Sequence, residues 1–278
     1  MACRLFRKMN QYKIIMLGTG NAMVTKCYNT CFAISDGNEY LLVDAGGGNG
    51  ILRQIELADI PYSNMHKMII THCHTDHILG AIWIIRKIAS MMEAKTFEGK
   101  FELYCHKEAA EVLNIFCQLT LVKKFLKYMD DRILIHEVEN AAQIMAVGMQ
   151  ITFFDIYSTK IKQFGFTAKL PDGTKITCLG DEPYNERCEV FVKESDWLMS
   201  EAFCLESQKD KFKPHEKYHS TVIDSGKMAA KLEVKHLILY HTEDKNIKNR
   251  KSLYLEELRT VFSGDAFVPD DLDVIEIQ

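Results

Sequence analysis

Short runs rich in aliphatic and aromatic residues recur through both halves of the chain: YKIIML, EYLLVD, HKMIIT, FELYC, ILIHEV, MQITFFDIY, FGFTAKL, KITCLG, DWLMS, HLILYH and LDVIEI. Each has the length of a strand and is bounded by polar or turn-forming residues. Between them, apolar residues return at helical spacing over Ile51–Ala58, Ile78–Met92, Lys107–Met129, Thr221–Leu232 and Leu253–Phe262. Strands interleaved with helices, with no Pro/Ser-rich linker, repeat or low-complexity tract, predict one layered α/β domain over residues 1–278. Residues 1–11 are expected to be a flexible lead-in. The stretch Ile78–Met92 is apolar almost all round in its first two turns, which predicts deep packing against a sheet.

Composition changes this picture little. Hydrophobic residues are 47% and charged residues 26%, as in an ordinary globular enzyme, and 278 residues can bury a substantial core. A net charge of -4 argues against a surface built to blanket nucleic acid. Nine cysteines without CxxC pairs read as reduced thiols. The basic start lacks the apolar core of a secretion signal, and the longest apolar run, ILGAIWII, is far short of a membrane span. A cytoplasmic protein that engages no membrane is the expectation.

The stretch MIITHCHTDHILG carries the chemistry. His72, His74, Asp76 and His77 crowd the turn between a strand ending at Thr71 and a helix starting near Ile78. His72 and His74 project to the same side of an extended turn, while Asp76 and His77 are aimed differently and can serve a second ion. Imidazoles with a carboxylate suit zinc, with manganese or iron as other occupants. Cys73 lies between two ligands but points to the opposite side.

THCHTDH resembles the signature of the metallo-β-lactamase superfamily, whose fold is a four-layer αββα sandwich with the site along one edge. The resemblance runs from about Lys13 to the C-terminus, and LGTGNAMVTKCYNT is similar to the opening of the ribonuclease Z branch. It implies that Asp44, in LLVDAG, orients ligands. Asp181, in CLGDE, would bridge two metals, and His241, in LILYHTED, would be the last ligand. It implies a metal-bound hydroxide attacking an ester, with Asp76 close to that chemistry, His219 protonating the leaving alkoxide and Glu201 orienting His219. One position departs from the pattern. Where the family presents a third histidine for the first metal, FFDIYSTK offers Tyr157, so that ion is expected to be weakly or partially held. Tyr157 is either a substitute ligand or an ordinary packed aromatic. A homodimer is implied by the resemblance alone.

Two points bear on substrate. GGGNG, at Gly46–Gly50, could offer amides to a phosphate or be a tight turn leading to a helix cap near Asn49. Ribonuclease Z grips transfer RNA with a long arm between the third histidine and the bridging aspartate. Here only 23 residues, including a PDG turn, separate Tyr157 from Asp181. The expectation is therefore a phosphodiesterase acting on a small or nucleotide-like substrate. The alternatives are a tRNA 3′-processing nuclease, a hydrolase of a thioester, sulfate ester or lactone, and a non-catalytic binding member.

Overall fold

A computed structural model describes residues 11–277. The lead-in expected at residues 1–11 therefore lies, but for Gln11, outside the described residues. Six strands open the first sheet: β1 (Tyr12–Gly18), β2 (Cys31–Ser35), β3 (Tyr40–Val43), β4 (Lys67–Ile69), β5 (Phe101–Cys105) and β6 (Ile133–Glu137). The next seven form the second: β7 (Gln143–Ala146), β8 (Met149–Asp155), β9 (Phe164–Lys169), β10 (Lys175–Cys178), β11 (Trp197–Glu201), β12 (His236–Tyr240) and β13 (Asp265–Phe267). The last strand, β14 (Val274–Ile277), crosses back and pairs antiparallel with β1, stapling the chain's end onto the first sheet.

The layers follow from which faces are apolar. Ile14, Phe32, Leu41, Phe153, Phe166, Ile176 and Ile238 fill the space between the sheets. The outer face of the first sheet is covered by α1 (Gly50–Leu57), α2 (Thr75–Glu93), α3 (Lys107–Thr120) and the short α4 (Lys123–Leu126). The outer face of the second carries α7 (Val222–Lys231) and α8 (Arg250–Leu258), after the single turns α5 (Glu189–Val192) and α6 (Lys209–Phe212). Two sheets with buried faces on both sides explain the continuous apolar strands in the sequence.

The structure corrects several boundaries. α2 starts at Thr75, with His74 as its N-cap residue, so Asp76 and His77 lie in its first turn and not in a free loop. The predicted helix over 107–129 breaks at Leu121 and Val122, which are extended, and restarts as α4. β2, β7 and β13 escaped the pattern. CFAIS is buried at every position and does not alternate, and the other two are short edge strands.

Parallel pairing decides where the site falls. β3, β4, β5 and β6 run parallel in one sheet, and β10, β11, β12 and β13 in the other. Asp44, Thr71, His72, Asp181, Glu201 and His241 therefore all stand at or just beyond the C-terminal ends of strands, on one rim of the sandwich.

Candidate metal centre

Asp44 and His241 both adopt left-handed backbone, with φ of 54° and 56°. Such a conformation costs a non-glycine residue on the order of 1 kcal/mol, and two instances on one rim mark a site held by its surroundings. For Asp44 the surroundings are explicit. The Thr71 N–H and hydroxyl donate to its two oxygens at 2.8 and 2.7 Å, and His77 Nδ1 donates to Oδ2 at 2.8 Å. The Thr71 hydroxyl has thereby spent its proton, so at 2.9 Å it can only accept from His72 Nδ1. One carboxylate thus fixes the tautomers of two imidazoles, and each turns a bare Nε2 towards the rim.

The α2 start is held by close backbone contact. The Gly80 N–H donates to Gly46 O at 2.9 Å, and a Cβ on Gly80 would sit 1.9 Å from Ala45 O. No other residue fits there. The 46–50 loop is packed under Tyr28, whose hydroxyl donates to Ala45 O and Gly48 O, so GGGNG reads as a turn leading into α1.

The donors converge on Asp181 Oδ2. It lies 3.5 Å from His72 Nε2, 3.8 Å from His74 Nδ1, 3.6 Å from His77 Nε2 and 3.6 Å from His241 Nε2. Asp76 Oδ2 closes the far side, 3.5 Å from His77 Nε2 and 3.4 Å from His241 Nε2. These gaps are long for hydrogen bonds. They match ligands that each stand roughly 2 Å from a shared ion, whose tetrahedral edges are about 3.3 Å. Two further facts point the same way: His77 Nε2 is buried without a partner, and His72 Nε2 faces His74 Nδ1 at 2.9 Å. The residues fit a pair of divalent ions, with His72, His74 and Asp181 holding one and Asp76, His77, His241 and Asp181 the other. Burial alone would raise the Asp181 carboxyl, but His72 and its neighbours hold it well below the usual range, ionised and ready to ligate.

The structure places Tyr157 at the surface. Its ring is exposed and lies 5.0 Å beneath the Arg187 guanidinium. Three residues beyond the segment FFDIYSTK, Gln163 reaches the site. That residue is fully buried, its backbone bridges to His72, and its Nε2 donates to Asp181 Oδ1 at 2.5 Å. Cys73 stays out of the donor groups, and burial pushes its thiol up to about 11.

His219 and Glu201 form an adjoining buried pair, with Nδ1 3.7 Å from Oε2 and neither atom otherwise bonded. Burial, aided by nearby His241, drives His219 down to about 3, while burial raises the Glu201 carboxyl well above its normal range despite the Ser220 N–H it accepts. Burial disfavours the charged form of both partners. The His219 ring stacks on Phe203 at 4.9 Å and borders a cavity of about 480 Å³ shared with His74, Asp76, Lys160 and Lys217. Sequence reading missed both lysines. Lys160 is anchored 3.7 Å from Glu182, which also takes the Ser158 hydroxyl, and Lys217 lies over the Phe203 ring. His106 caps α3 through Nδ1.

Fold and site define a metal-dependent hydrolase of the metallo-β-lactamase superfamily, in its ribonuclease Z and phosphodiesterase branch. Residues 12–257 match the family described as anti-Pycsar protein Apyc1, and the chain belongs to it. Ribonuclease Z of Thermococcus sibiricus is 25% identical, covering 95% of this chain and 96% of its own. That alignment spans 320 positions, so the relative carries segments that this 278-residue chain lacks. Among solved structures, the metallo-β-lactamase fold protein YhfI from Bacillus subtilis aligns with a TM-score of 0.78 at 18% identity, over 96% of this chain and 99% of its own. Human tRNase Z, short form, aligns with a TM-score of 0.74 at 20% identity, over 96% and 99%. Among the described residues no helix is long and apolar enough to cross a membrane.

Proposed function

We propose that the chain hydrolyses a phosphodiester in a small or nucleotide-like substrate, with zinc as the metal. The observation that carries this reading is the cavity of about 480 Å³, in which the donor cluster, two lysines and His219 meet. When bound, a pair of ions supplies a nucleophile at neutral pH and neutralises phosphate charge. The chain's own residues do the rest. Lys160 and Lys217 attract the anionic substrate, and Asp44 keeps the imidazoles facing the rim. Protonated Glu201 can pass its Oε2 proton to His219 Nδ1 while His219 Nε2 gives its own to the departing alkoxide, which leaves Glu201 ionised. The 3.7 Å gap must shorten to about 2.8 Å for that transfer.

The short hairpin from β9 to β10 supports a small substrate. Pro171, Asp172 and Gly173 turn the chain tightly, Gly173 at φ 96°, and leave no arm for transfer RNA. We extend to this chain the anti-Pycsar role that its family's description carries. The zinc-loaded protein, offered nitrophenyl and alkyl phosphodiesters, sulfates, thioesters and a precursor tRNA, should turn over the phosphodiesters best. Faster cleavage of the tRNA would favour the processing nuclease, and action on thioesters or sulfates alone would remove the proposal. His219→Ala should cost about 10²–10⁴ in turnover on alkyl esters and much less on nitrophenyl esters. Equal losses on both would take the acid role from His219.

A further inference from the structure

We propose that Gln163 is a positioning residue that fixes how Asp181 presents itself to the two ions. A buried primary amide is unfavourable unless its polar atoms are bonded. Gln163 is fully buried, and both ends of its amide are used on the same residue. Nε2 donates to Asp181 Oδ1 at 2.5 Å, and Oε1 faces the Asp181 N–H at 3.4 Å. The ionised carboxylate can only accept, so the NH₂ end must face it, and chemistry alone fixes the amide's orientation.

The consequence lies in the other oxygen. With Oδ1 occupied, Oδ2 is the atom left to face the four imidazoles at 3.5–3.8 Å. Without the amide, the carboxylate could turn about its last bond and offer either oxygen, or both to one ion. Gln163 is itself held by backbone. It pairs with His72 in an isolated bridge, its carbonyl accepts from the Ile156 N–H at 3.2 Å, and the Phe164 N–H donates to Thr71 O at 3.0 Å. The amide therefore ties Asp181, on the second sheet, to the strand end that carries His72 on the first. The residues just after the segment expected to bring a nitrogen ligand bring a clamp on Asp181. This inference rests on the two-ion reading of the site.

The test is a zinc titration of metal-free wild type, Gln163→Ala and Gln163→Glu in competition with a chromophoric chelator, paired with cobalt(II) spectra. Gln163→Ala should bind the ion at His72 and His74 about 10–100-fold more weakly, the usual effect of losing an outer partner, with an altered cobalt band. Gln163→Glu should lose more, because it sets a carboxylate against a carboxylate. A purely structural glutamine would lower the melting temperature of the metal-free protein and leave zinc affinity and the cobalt band unchanged, which overturns the inference. Retention of wild-type affinity by Gln163→Glu beside total loss of one ion in Gln163→Ala would make the residue a ligand and also overturn it. Wild type that takes up no zinc would bring down the two-ion reading itself.

Discussion

The two halves of the donor cluster are built to different standards. The half at Asp76, His77 and His241 has three buried donors besides the shared Asp181, with His77 bonded directly to Asp44 and His241 in a left-handed backbone. The half at His72 and His74 has two imidazoles. One reaches Asp44 only through the Thr71 hydroxyl, and the other is partly exposed. Ligand number and outer support both favour the first of these halves. The difference teaches that a site can keep its signature motif and still offer two unequal sets of donors.

The largest expected effect tests that inequality directly. Zinc should leave wild type in two steps as chelator is added, and His74→Ala should abolish only the easier one. His77→Ala should weaken the tighter step by more than the roughly 100-fold that an outer partner is worth. Equal loss from the two variants, read as zinc per chain by elemental analysis, would break the comparison. A smaller effect sharpens it. Asp44→Asn keeps the shape but offers only one acceptor oxygen, so His77 or Thr71 loses its partner. Zinc affinity at the tighter step should fall about 10–100-fold, with a lesser change at the other, where Asp44 acts at one remove.

How legible was this in the sequence? The fold was, because two sheets buried on both faces leave long apolar strands, and the parallel order puts conspicuous residues at strand ends. The HxHxDH loop was legible because four donors share one turn. Asp181, Glu201, His219 and His241 are scattered over a second sheet and could be picked out only through the family resemblance. Gln163, Lys160 and Lys217 carried no signal, since a lone glutamine or lysine is ordinary wherever it falls. The dyad's electrostatics could not be read from the sequence, for a physical reason. Proximity to a carboxylate is visible in a resemblance, but burial, which outweighs it here, is a property of the folded environment.

A histidine on the same rim that ligates nothing extends the contrast. His106 is buried, accepts from the Ala109 N–H through Nδ1, and is pushed down to about 4 chiefly by burial. Protonation would put a hydrogen on the atom that caps α3. The folded form therefore binds fewer protons than the unfolded chain, whose imidazole titrates near pH 6.5. Stability is fully present above about pH 6.5 and falls as pH drops towards 4, by up to about 3 kcal/mol from this group. His106→Gln keeps an acceptor without a titrating nitrogen. Urea unfolding between pH 7 and 4.5 should show the gap between wild type and variant moving in the variant's favour as pH falls, and a constant gap would absolve His106.

The smallest expected effect concerns Tyr157. On the sequence alone, Tyr157→His should restore a missing nitrogen ligand and raise zinc content, whereas a phenolate ligand would make Tyr157→Phe lose metal. The structure gives neither variant that power. The ring is exposed and lies 5.0 Å under Arg187, and the backbone N–H of Tyr157 is turned to Asp155. A histidine at this position inherits the left-handed backbone, φ 57°, and with it the same outward direction. Both variants should match wild type in zinc per chain and in chelator titration. Stability should change only by the cation–π contact, about 0.5–1 kcal/mol at an exposed site, retained by Phe and weakened by His. A Tyr157→His protein that holds its looser ion more tightly than wild type would mean that the 157–162 loop can fold inward over the metals, and the inequality between the two halves would then belong to the loop and not to the ligands.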